Sequence, residues 1–237
     1  MSDLAGKVVL VTGSRRGIGR IVADHFLARG ATVIGIARGA GTIDHTSYHH
    51  LQADVGDPAA VVAAFHEIAR LAPAIHIVVN NAAVLTSQYA MIMPAASAQA
   101  MLNTNLLGPF LVSREAAKMM RKTKWGRIIN IGSMAASLEP IGDSIYAATK
   151  SGVVTLANVL AKELGPLNVT CNTLAVTAID SDMLGQLPRD KVQAIVDSLP
   201  IPRFAEAEDI LNVIDFLVSE RSSYITAQTI WLGGVNS

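Results

Sequence analysis

The chain has 237 residues, its 19 Lys+Arg balance its 19 Asp+Glu, and 51% of its residues are hydrophobic while only 16% are charged. This composition excludes a disordered chain, and zero net charge argues against a nucleic-acid binder, which needs cations to neutralise phosphates. A single cysteine, Cys171, excludes an intramolecular disulfide, and no long apolar run or leader-like N-terminus is found, so we expect a cytoplasmic protein without membrane contact.

Short β-type runs alternate with longer helical patterns along the whole chain. We predict strands at Lys7–Thr12, Thr32–Ala37, Tyr48–Ala53, Ile75–Val79, Gly126–Gly132, Asn168–Leu174 and Gln228–Leu232. Helices are predicted at Gly17–Arg29, Pro58–Arg70, Ser97–Lys122, Ile145–Leu164 and Glu206–Val218. Several strands are apolar almost throughout, as expected where both faces of a sheet are covered. The alternation predicts one α/β domain over residues 1–237, with a doubly wound, seven-stranded parallel sheet and helices on both faces.

A glycine-rich turn follows the first strand and opens the first helix, with the sequence Gly13-Ser14-Arg15-Arg16-Gly17-Ile18-Gly19. Glycines allow a tight turn and let the backbone approach a pyrophosphate, which the helix N-terminus stabilises. We therefore predict that this turn binds the phosphates of a dinucleotide.

A second set of residues lies at and after the fifth predicted strand. Ser133 follows the end of that strand, and Tyr146 and Lys150 are four residues apart in a predicted helix, so they share one face. With the glycine turn and Asn80-Asn81-Ala82, this set resembles the short-chain dehydrogenase/reductase family, over essentially the whole chain. It is most similar to the 3-oxoacyl-(acyl-carrier-protein) reductase type. The resemblance implies a Rossmann-type fold and an oxidoreductase that interconverts a carbonyl and a secondary alcohol with a nicotinamide cofactor.

The residue types suit that chemistry. A carbonyl that accepts a hydride needs a proton, and a tyrosine, which titrates near 10, becomes an efficient acid–base when positive charges lower its pKa. We expect Tyr146 to transfer the proton, Lys150 to lower the pKa of Tyr146 and hold ribose hydroxyls, and Ser133 to hydrogen-bond the substrate oxygen. The resemblance also implies that Asn105 retains a water linking Lys150 to solvent, unless it is an ordinary polar helix residue.

The end of the second strand predicts which cofactor binds. A carboxylate there normally holds a ribose 2′-hydroxyl, whereas a cation accepts a 2′-phosphate. Here Ala37 replaces the acid and Arg38 follows it, and the resemblance places Arg16 near the same phosphate. Paired guanidinium hydrogen bonds suit phosphate, so we predict NADP(H), although both arginines could simply be solvated.

The resemblance assigns further cofactor contacts. It implies that adenine meets Asp54 and Val55, that ribose meets Asn81, Ala82 and Ala83, and that the nicotinamide side meets Ile179 and Ser181. Asp54 could instead cap the helix that begins at Pro58. Ala83 stands where the family has glycine, and Val176-Thr177 where it has Pro-Gly, which puts the conformation of both segments in question.

The substrate is less defined. An apolar pocket from Met91, Met93, Met134, Leu138, Met183 and Leu184 would favour a hydrophobic ketone. A carrier-protein thioester would need a basic patch near the pocket, for which the candidates are Arg121, Lys122, Lys124 and Arg127. Val176–Phe204 is interpreted as a lid or substrate loop.

Other functions remain open. The alternatives are an NAD-linked alcohol or dihydrodiol dehydrogenase of the same family, and a non-catalytic NADP-sensing protein. We expect no metal site, because His49 and His50 point to opposite faces of a strand and lack carboxylate partners. The helices at Ser97–Lys122 and Ile145–Leu164 carry few charges, and the resemblance assigns them to subunit contacts, so we expect a homo-oligomer, most simply a tetramer.

Overall fold

The fold is organised by one parallel sheet, which we describe from a computed structural model. The described residues are 4–179, 185 and 189–235. The seven strands have the spatial order β3-β2-β1-β4-β5-β6-β7. They are β1 Val8–Thr12, β2 Thr32–Ala37, β3 Tyr48–Gln52, β4 Ile77–Asn80, β5 Gly126–Ser133, β6 Val169–Val176 and β7 Thr229–Trp231. All pairs are parallel, so the predicted doubly wound α/β sheet is confirmed.

Helices cover both faces of the sheet. They are α1 Gly17–Ala28, α2 Pro58–Leu71, α3 Ala95–Leu102, α4 Gly108–Thr123, α5 Ala135–Leu138, α6 Ser144–Leu164, α7 Arg189–Ser198 and α8 Ala207–Val218. One apolar core joins the sheet to α2, α4 and α6, and a second joins it to α1 and α8. Cys171 lies in the first core, fully buried, as a small apolar residue would. Among the described residues, no helix is long and apolar enough to cross a membrane.

The long helix expected at Ser97–Lys122 is interrupted. A π-helical turn at Asn103–Leu107 separates α3 from α4. Such a turn adds one residue per turn and is frequent at functional sites. The residues that flank it, Leu102 and Gly108, have right-handed helical dihedrals, so the helical pattern of the sequence predicted one unbroken helix.

The irregular stretch Val176–Phe204 contains a helix that the sequence did not predict. This is α7, and its Ile195 and Ser198 line the main cavity. Ile179 forms an isolated parallel bridge with Ala205, so the stretch returns to the sheet edge where β6 ends. Residues 180–184 and 186–188 lie outside the described part of the chain, and with them the pocket candidates Met183 and Leu184.

Candidate active site

A cavity of about 660 Å³ lies at the carboxyl ends of the strands. It spans the point between β1 and β4 where the strand order reverses, which is where doubly wound sheets bind ligands. The predicted site residues that line it are Gly13, Arg15, Arg16, Gly17, Ile18, Arg38, Asp54, Val55, Asn81, Ala82, Ala83, Ser133, Tyr146, Lys150 and Ile179. The structure thus brings into one cavity residues that are up to 166 positions apart in the chain, Gly13 and Ile179.

Three of the described predicted residues do not line the cavity. Ser14 is buried behind the glycine turn, where its hydroxyl lies 2.9 Å from the Tyr48 hydroxyl. Gly19 and Asn105 are also buried, so they act on the cavity through their neighbours. Ser181 lies outside the described residues.

The glycine turn is packed on one side and open on the other. A Cβ on Gly19 would lie 2.3 Å from the Gly13 carbonyl oxygen, and one on Gly13 would lie 2.8 Å from Nδ2 of Asn81. Gly17 has φ +54° and open space around its Cβ position. No side chain caps the start of α1, and its first residues Gly17 and Ile18 line the cavity. Uncapped N–H groups at a helix N-terminus are suited to bind phosphate.

Three arginines line the end of the cavity beside β2. Nε of Arg15 donates to the Ala40 carbonyl oxygen at 2.6 Å, so this side chain holds the segment after β2. Arg16 and Arg38 are both exposed at the cavity, and Ala37 provides no carboxylate. The local charge is therefore positive although the chain as a whole is neutral.

Asp54, which is expected to contact adenine, is not the aspartate that caps α2. Asp57 caps α2, since its Oδ1 accepts from the N–H groups of Ala59 and Ala60 at 2.8 and 3.3 Å. Asp54 accepts from the N–H of Gly56 at 2.8 Å and lines the cavity. The alternative that Asp54 caps this helix is therefore wrong.

The turn after β4 is fixed by the end of β1. Oγ1 of Thr12 accepts from the N–H groups of Asn81 and Ala82 at 2.9 and 3.0 Å, and Nδ2 of Asn81 donates to the Thr12 carbonyl oxygen at 2.9 Å. Ala83 is not among the described non-glycine residues with positive φ, so its methyl group causes no backbone strain.

The segment after β6 is also held in place without Pro-Gly. The carbonyl oxygen of Val176 accepts from the N–H of Met134 at 2.9 Å. Thr177 is buried, and a Cβ on Gly233 would lie 2.9 Å from its Cγ2. The C-terminal segment therefore packs against the wall of the cavity at the position where the family has glycine.

Ser133, Tyr146 and Lys150 meet at the opposite end of the cavity from the arginines. Ser133 ends β5, and its Oγ accepts from the N–H of Ala135 at 3.2 Å. Tyr146 and Lys150 are on α6, both buried, with Nζ of Lys150 5.7 Å from the centre of the Tyr146 ring. Nζ of Lys150 also donates to the Ile131 carbonyl oxygen at 2.7 Å, which orients it along β5.

Burial controls the protonation of this pair. It raises the pKa of Tyr146 to about 12; Ser133 lowers that pKa and the charge of Asp143 raises it. Burial lowers the pKa of Lys150 to about 8. The direction for Tyr146 is opposite to the lowered pKa expected for the complete site, because burial outweighs the contribution of the Ser133 hydroxyl. The chain by itself therefore keeps the phenol protonated at neutral pH.

Asn105 joins the π-helical turn to the cavity wall. Its side-chain oxygen accepts from the N–H of Val84 at 2.8 Å, and Nδ2 donates to the Val84 carbonyl oxygen at 2.9 Å and to Oγ1 of Thr149 at 3.3 Å. Thr149 lies between Tyr146 and Lys150 on α6. The neighbouring Asn103 instead accepts from Gln99 at the surface, at 2.7 Å.

The substrate predictions need two corrections. Met134 and Leu138 line the cavity, whereas Met91 and Met93 do not, and Met91 is 96% exposed. The expected basic patch is at the wrong end of the sheet, because Lys124 and Arg127 lie beside the amino end of β5 while the cavity lies at its carboxyl end. Arg127 is also only 1% exposed, against the ring of Trp125.

Sequence reasoning missed Asp143. This residue directly precedes α6, lines the cavity and is 8% exposed. Its only sequence signal is its position three residues before Tyr146, which places both side chains on one side of a helical turn.

Comparison with known proteins agrees with this geometry. The short chain dehydrogenase family matches residues 7–192. The chain belongs to the short-chain dehydrogenase family. It is 35% identical to the 3-oxoacyl-[acyl-carrier-protein] reductase FabG of Aquifex aeolicus, over 98% of this chain and 97% of that protein. It is 34% identical to FabG of Escherichia coli, over 98% of each.

A solved structure agrees as well. The ligand-free aldohexose dehydrogenase of Thermoplasma acidophilum superposes with a TM-score of 0.90 at 28% identity, covering 99% of this chain and 95% of that one. This short-chain dehydrogenase is accordingly an oxidoreductase that acts on CH–OH or carbonyl groups with a nicotinamide cofactor.

Proposed function

We propose that this short-chain dehydrogenase interconverts a ketone or 3-oxoacyl carbonyl and a secondary alcohol with NADP(H), with Tyr146 as the general acid–base. One observation carries the proposal: a single cavity extends from Arg16 and Arg38 at one end to Ser133, Tyr146 and Lys150 at the other. In this arrangement the 2′-phosphate of the cofactor occupies the arginine end of the cavity, and the substrate carbonyl occupies the tyrosine end.

The nicotinamide, when bound, supplies or accepts the hydride. In reduction, the Tyr146 phenol gives its proton to the substrate oxygen, and in oxidation the phenolate takes that proton back. Ser133 donates a hydrogen bond to the same oxygen, which is worth most as negative charge develops there. The Lys150 ammonium favours the phenolate and is placed to hold ribose hydroxyls.

Asn105 positions the wall of the cavity without lining it. Its amide holds the backbone of Val84, which lines the cavity, and contacts Thr149 on the helix that carries the acid–base pair. We retain as part of the proposal that a water near Asn105 connects Lys150 to solvent, so that the proton lost by Tyr146 is replaced.

The experiment is an activity panel. The purified protein is assayed at 340 nm with NADPH and with NADH against simple ketones, a 3-oxoacyl thioester and the corresponding alcohols. Turnover of at least one carbonyl with NADPH preferred over NADH supports the proposal. Preference for NADH favours the NAD-linked alternative, and NADPH binding without turnover of any substrate favours a sensor.

We also propose that the chain forms a homo-oligomer, most simply a tetramer. A second, shallow cavity of about 350 Å³ on the outer surface is lined by Leu102, Asn103, Leu106, Leu107, Phe110 and Leu156, which belong to α3, the π-helical turn, α4 and α6. Leu102 and Phe110 are exposed there, and Val159 is exposed elsewhere on α6. Light scattering at micromolar concentration tests this, and a monomer would contradict it.

A further inference from the structure

A buried carboxylate faces the substrate half of the cavity. Asp143 is 8% exposed and lines the cavity with Ser133 and Tyr146. Among the described residues, its Oδ1 has no hydrogen-bond partner, and no salt bridge includes it. Burying a carboxylate is unfavourable unless donors or cations compensate for the lost water. We therefore ask which group of a ligand in the cavity could bind this carboxylate.

The backbone fixes the position of this carboxylate. The N–H of Asp143 donates to the Pro140 carbonyl oxygen at 3.1 Å, and its own carbonyl oxygen accepts from the N–H of Ala147 at 2.7 Å. The preceding residue, Gly142, has φ +94°, and its carbonyl oxygen accepts from the N–H of Gln88 at 2.8 Å. Asp143 is thus held between a tight turn and the first turn of α6, and cannot easily withdraw into solvent.

Among the residues whose side chains the structure describes, none offers Asp143 a cation inside the cavity. The arginines that line the cavity belong to the glycine turn and the end of β2, on the cofactor side. Nζ of Lys150 donates to the Ile131 carbonyl oxygen, and only burial shifts its pKa. Other residues that line the substrate side, such as Leu138 and Pro140, are apolar. Because no described side chain donates to Oδ1, a ligand in the cavity can supply the donor.

The reaction makes such a donor useful. The charge of Asp143 raises the pKa of Tyr146, and the same charge opposes the negative charge that develops on the substrate oxygen. A purely apolar ketone leaves this carboxylate uncompensated, whereas a substrate hydroxyl that donates to it satisfies its lone pairs. Asp143 and Tyr146 are three residues apart, so one small molecule can reach both.

We propose that Asp143 binds a hydroxyl group of the substrate, one or two carbons from the reacting carbon, so that hydroxy ketones and the corresponding diols are the preferred substrates. The inference rests on the proposed function and narrows its substrate class. Asp143 is in this account a specificity-determining residue, because it discriminates between substrates and transfers no proton.

The test uses two ketones of nearly the same shape, 2-hydroxycyclohexanone and 2-methylcyclohexanone, in which a hydroxyl replaces a methyl group. With NADPH, the wild-type protein should show at least about a tenfold higher kcat/KM for the hydroxy ketone, since leaving a buried acceptor unpaired is costly. Asp143→Leu should remove the preference, chiefly by losing the hydroxy ketone. Asp143→Asn, which keeps the shape and one acceptor oxygen, should retain part of it and guards against misfolding of the leucine variant.

Glu139→Gln is the matched control. Glu139 is an exposed carboxylate four residues earlier that does not line the cavity, so its replacement should leave the preference unchanged. Equal rates for both ketones in the wild type, or a preference that survives in Asp143→Leu, would overturn the inference and leave the proposed function standing. Turnover of neither ketone while another carbonyl of the activity panel is reduced would overturn the inference alone. Turnover of no carbonyl of the panel with either cofactor would overturn the proposed function and the inference with it.

Discussion

Reversing the charge of Arg38 should remove the preference for the phosphorylated cofactor. Arg38 is exposed at the end of β2, and Ala37 beside it provides no carboxylate. A hydrogen bond to a charged group contributes about 1.5–3 kcal/mol, and an exposed side chain belongs at the lower end of that range. An aspartate would add about 1 kcal/mol of repulsion towards a phosphate in water. The sum, about 2–3 kcal/mol, predicts that Arg38→Asp lowers the NADPH/NADH ratio of kcat/KM by roughly 30- to 150-fold.

The assay measures kcat/KM for NADPH and NADH with one fixed ketone. The control is Arg70→Asp, which reverses an exposed charge on α2, where Arg70 pairs with Glu67 away from the cavity. This control should leave the ratio unchanged. A ratio for Arg38→Asp within about threefold of the wild type would refute the assignment of the 2′-phosphate to this end of the cavity, because the arithmetic allows no smaller effect.

Three further predictions concern stability and the support of the site. Ala227 has φ +57°, so Ala227→Gly should raise the free energy of unfolding by up to about 1 kcal/mol in urea titrations, since glycine relieves the left-handed strain; a loss of stability would contradict this. Burial lowers the pKa of Lys150 in the folded state to about 8 from 10.5, so the unfolded chain binds more protons between these pH values. As the pH rises through that window, the free energy of unfolding of the wild type should therefore increase by up to about 3 kcal/mol relative to that of Lys150→Met. A pH-independent difference between the two proteins would show that Lys150 is not desolvated as described. Asn105→Ala should cost about 1–3 kcal/mol of stability and lower kcat, because it frees Val84 and Thr149. Gln99→Ala, on α3 and with its amide donating to Asn103 at the surface, should do neither; equal effects would argue against the positioning role.

Local patterns sufficed for the sheet and for the glycine turn that lines the cavity. The strand at Thr32–Ala37 was predicted to the residue, because it is mostly apolar and bounded by polar or glycine-rich segments. The glycine turn lies where it was expected because only glycines fit between the Gly13 carbonyl oxygen and Asn81.

The features that were missed depend on three-dimensional surroundings. The π-helical turn at Asn103–Leu107 is flanked by residues with ordinary helical dihedrals, so the sequence pattern does not separate it from the α-helices on either side. The raised pKa of Tyr146 comes mainly from burial, which only the packed helices create. Arg127 looked like part of a basic surface patch, but the strand direction places it at the far end of the sheet and buries it beside Trp125. In the sequence, Asp143 is an ordinary polar residue before a helix, and only the structure shows that its Oδ1 is buried without a partner among the described residues.

The central claim is that the Tyr146 hydroxyl transfers the proton while the rest of the cavity binds the cofactor. The direct measurement is the turnover of the Tyr146→Phe variant together with its affinity for NADPH. The affinity is measured from the fluorescence of the bound cofactor. Phenylalanine keeps the buried ring and removes only the hydroxyl, so kcat should fall by at least about a thousandfold while the Kd for NADPH changes by less than about threefold. Activity within tenfold of the wild type would contradict the account.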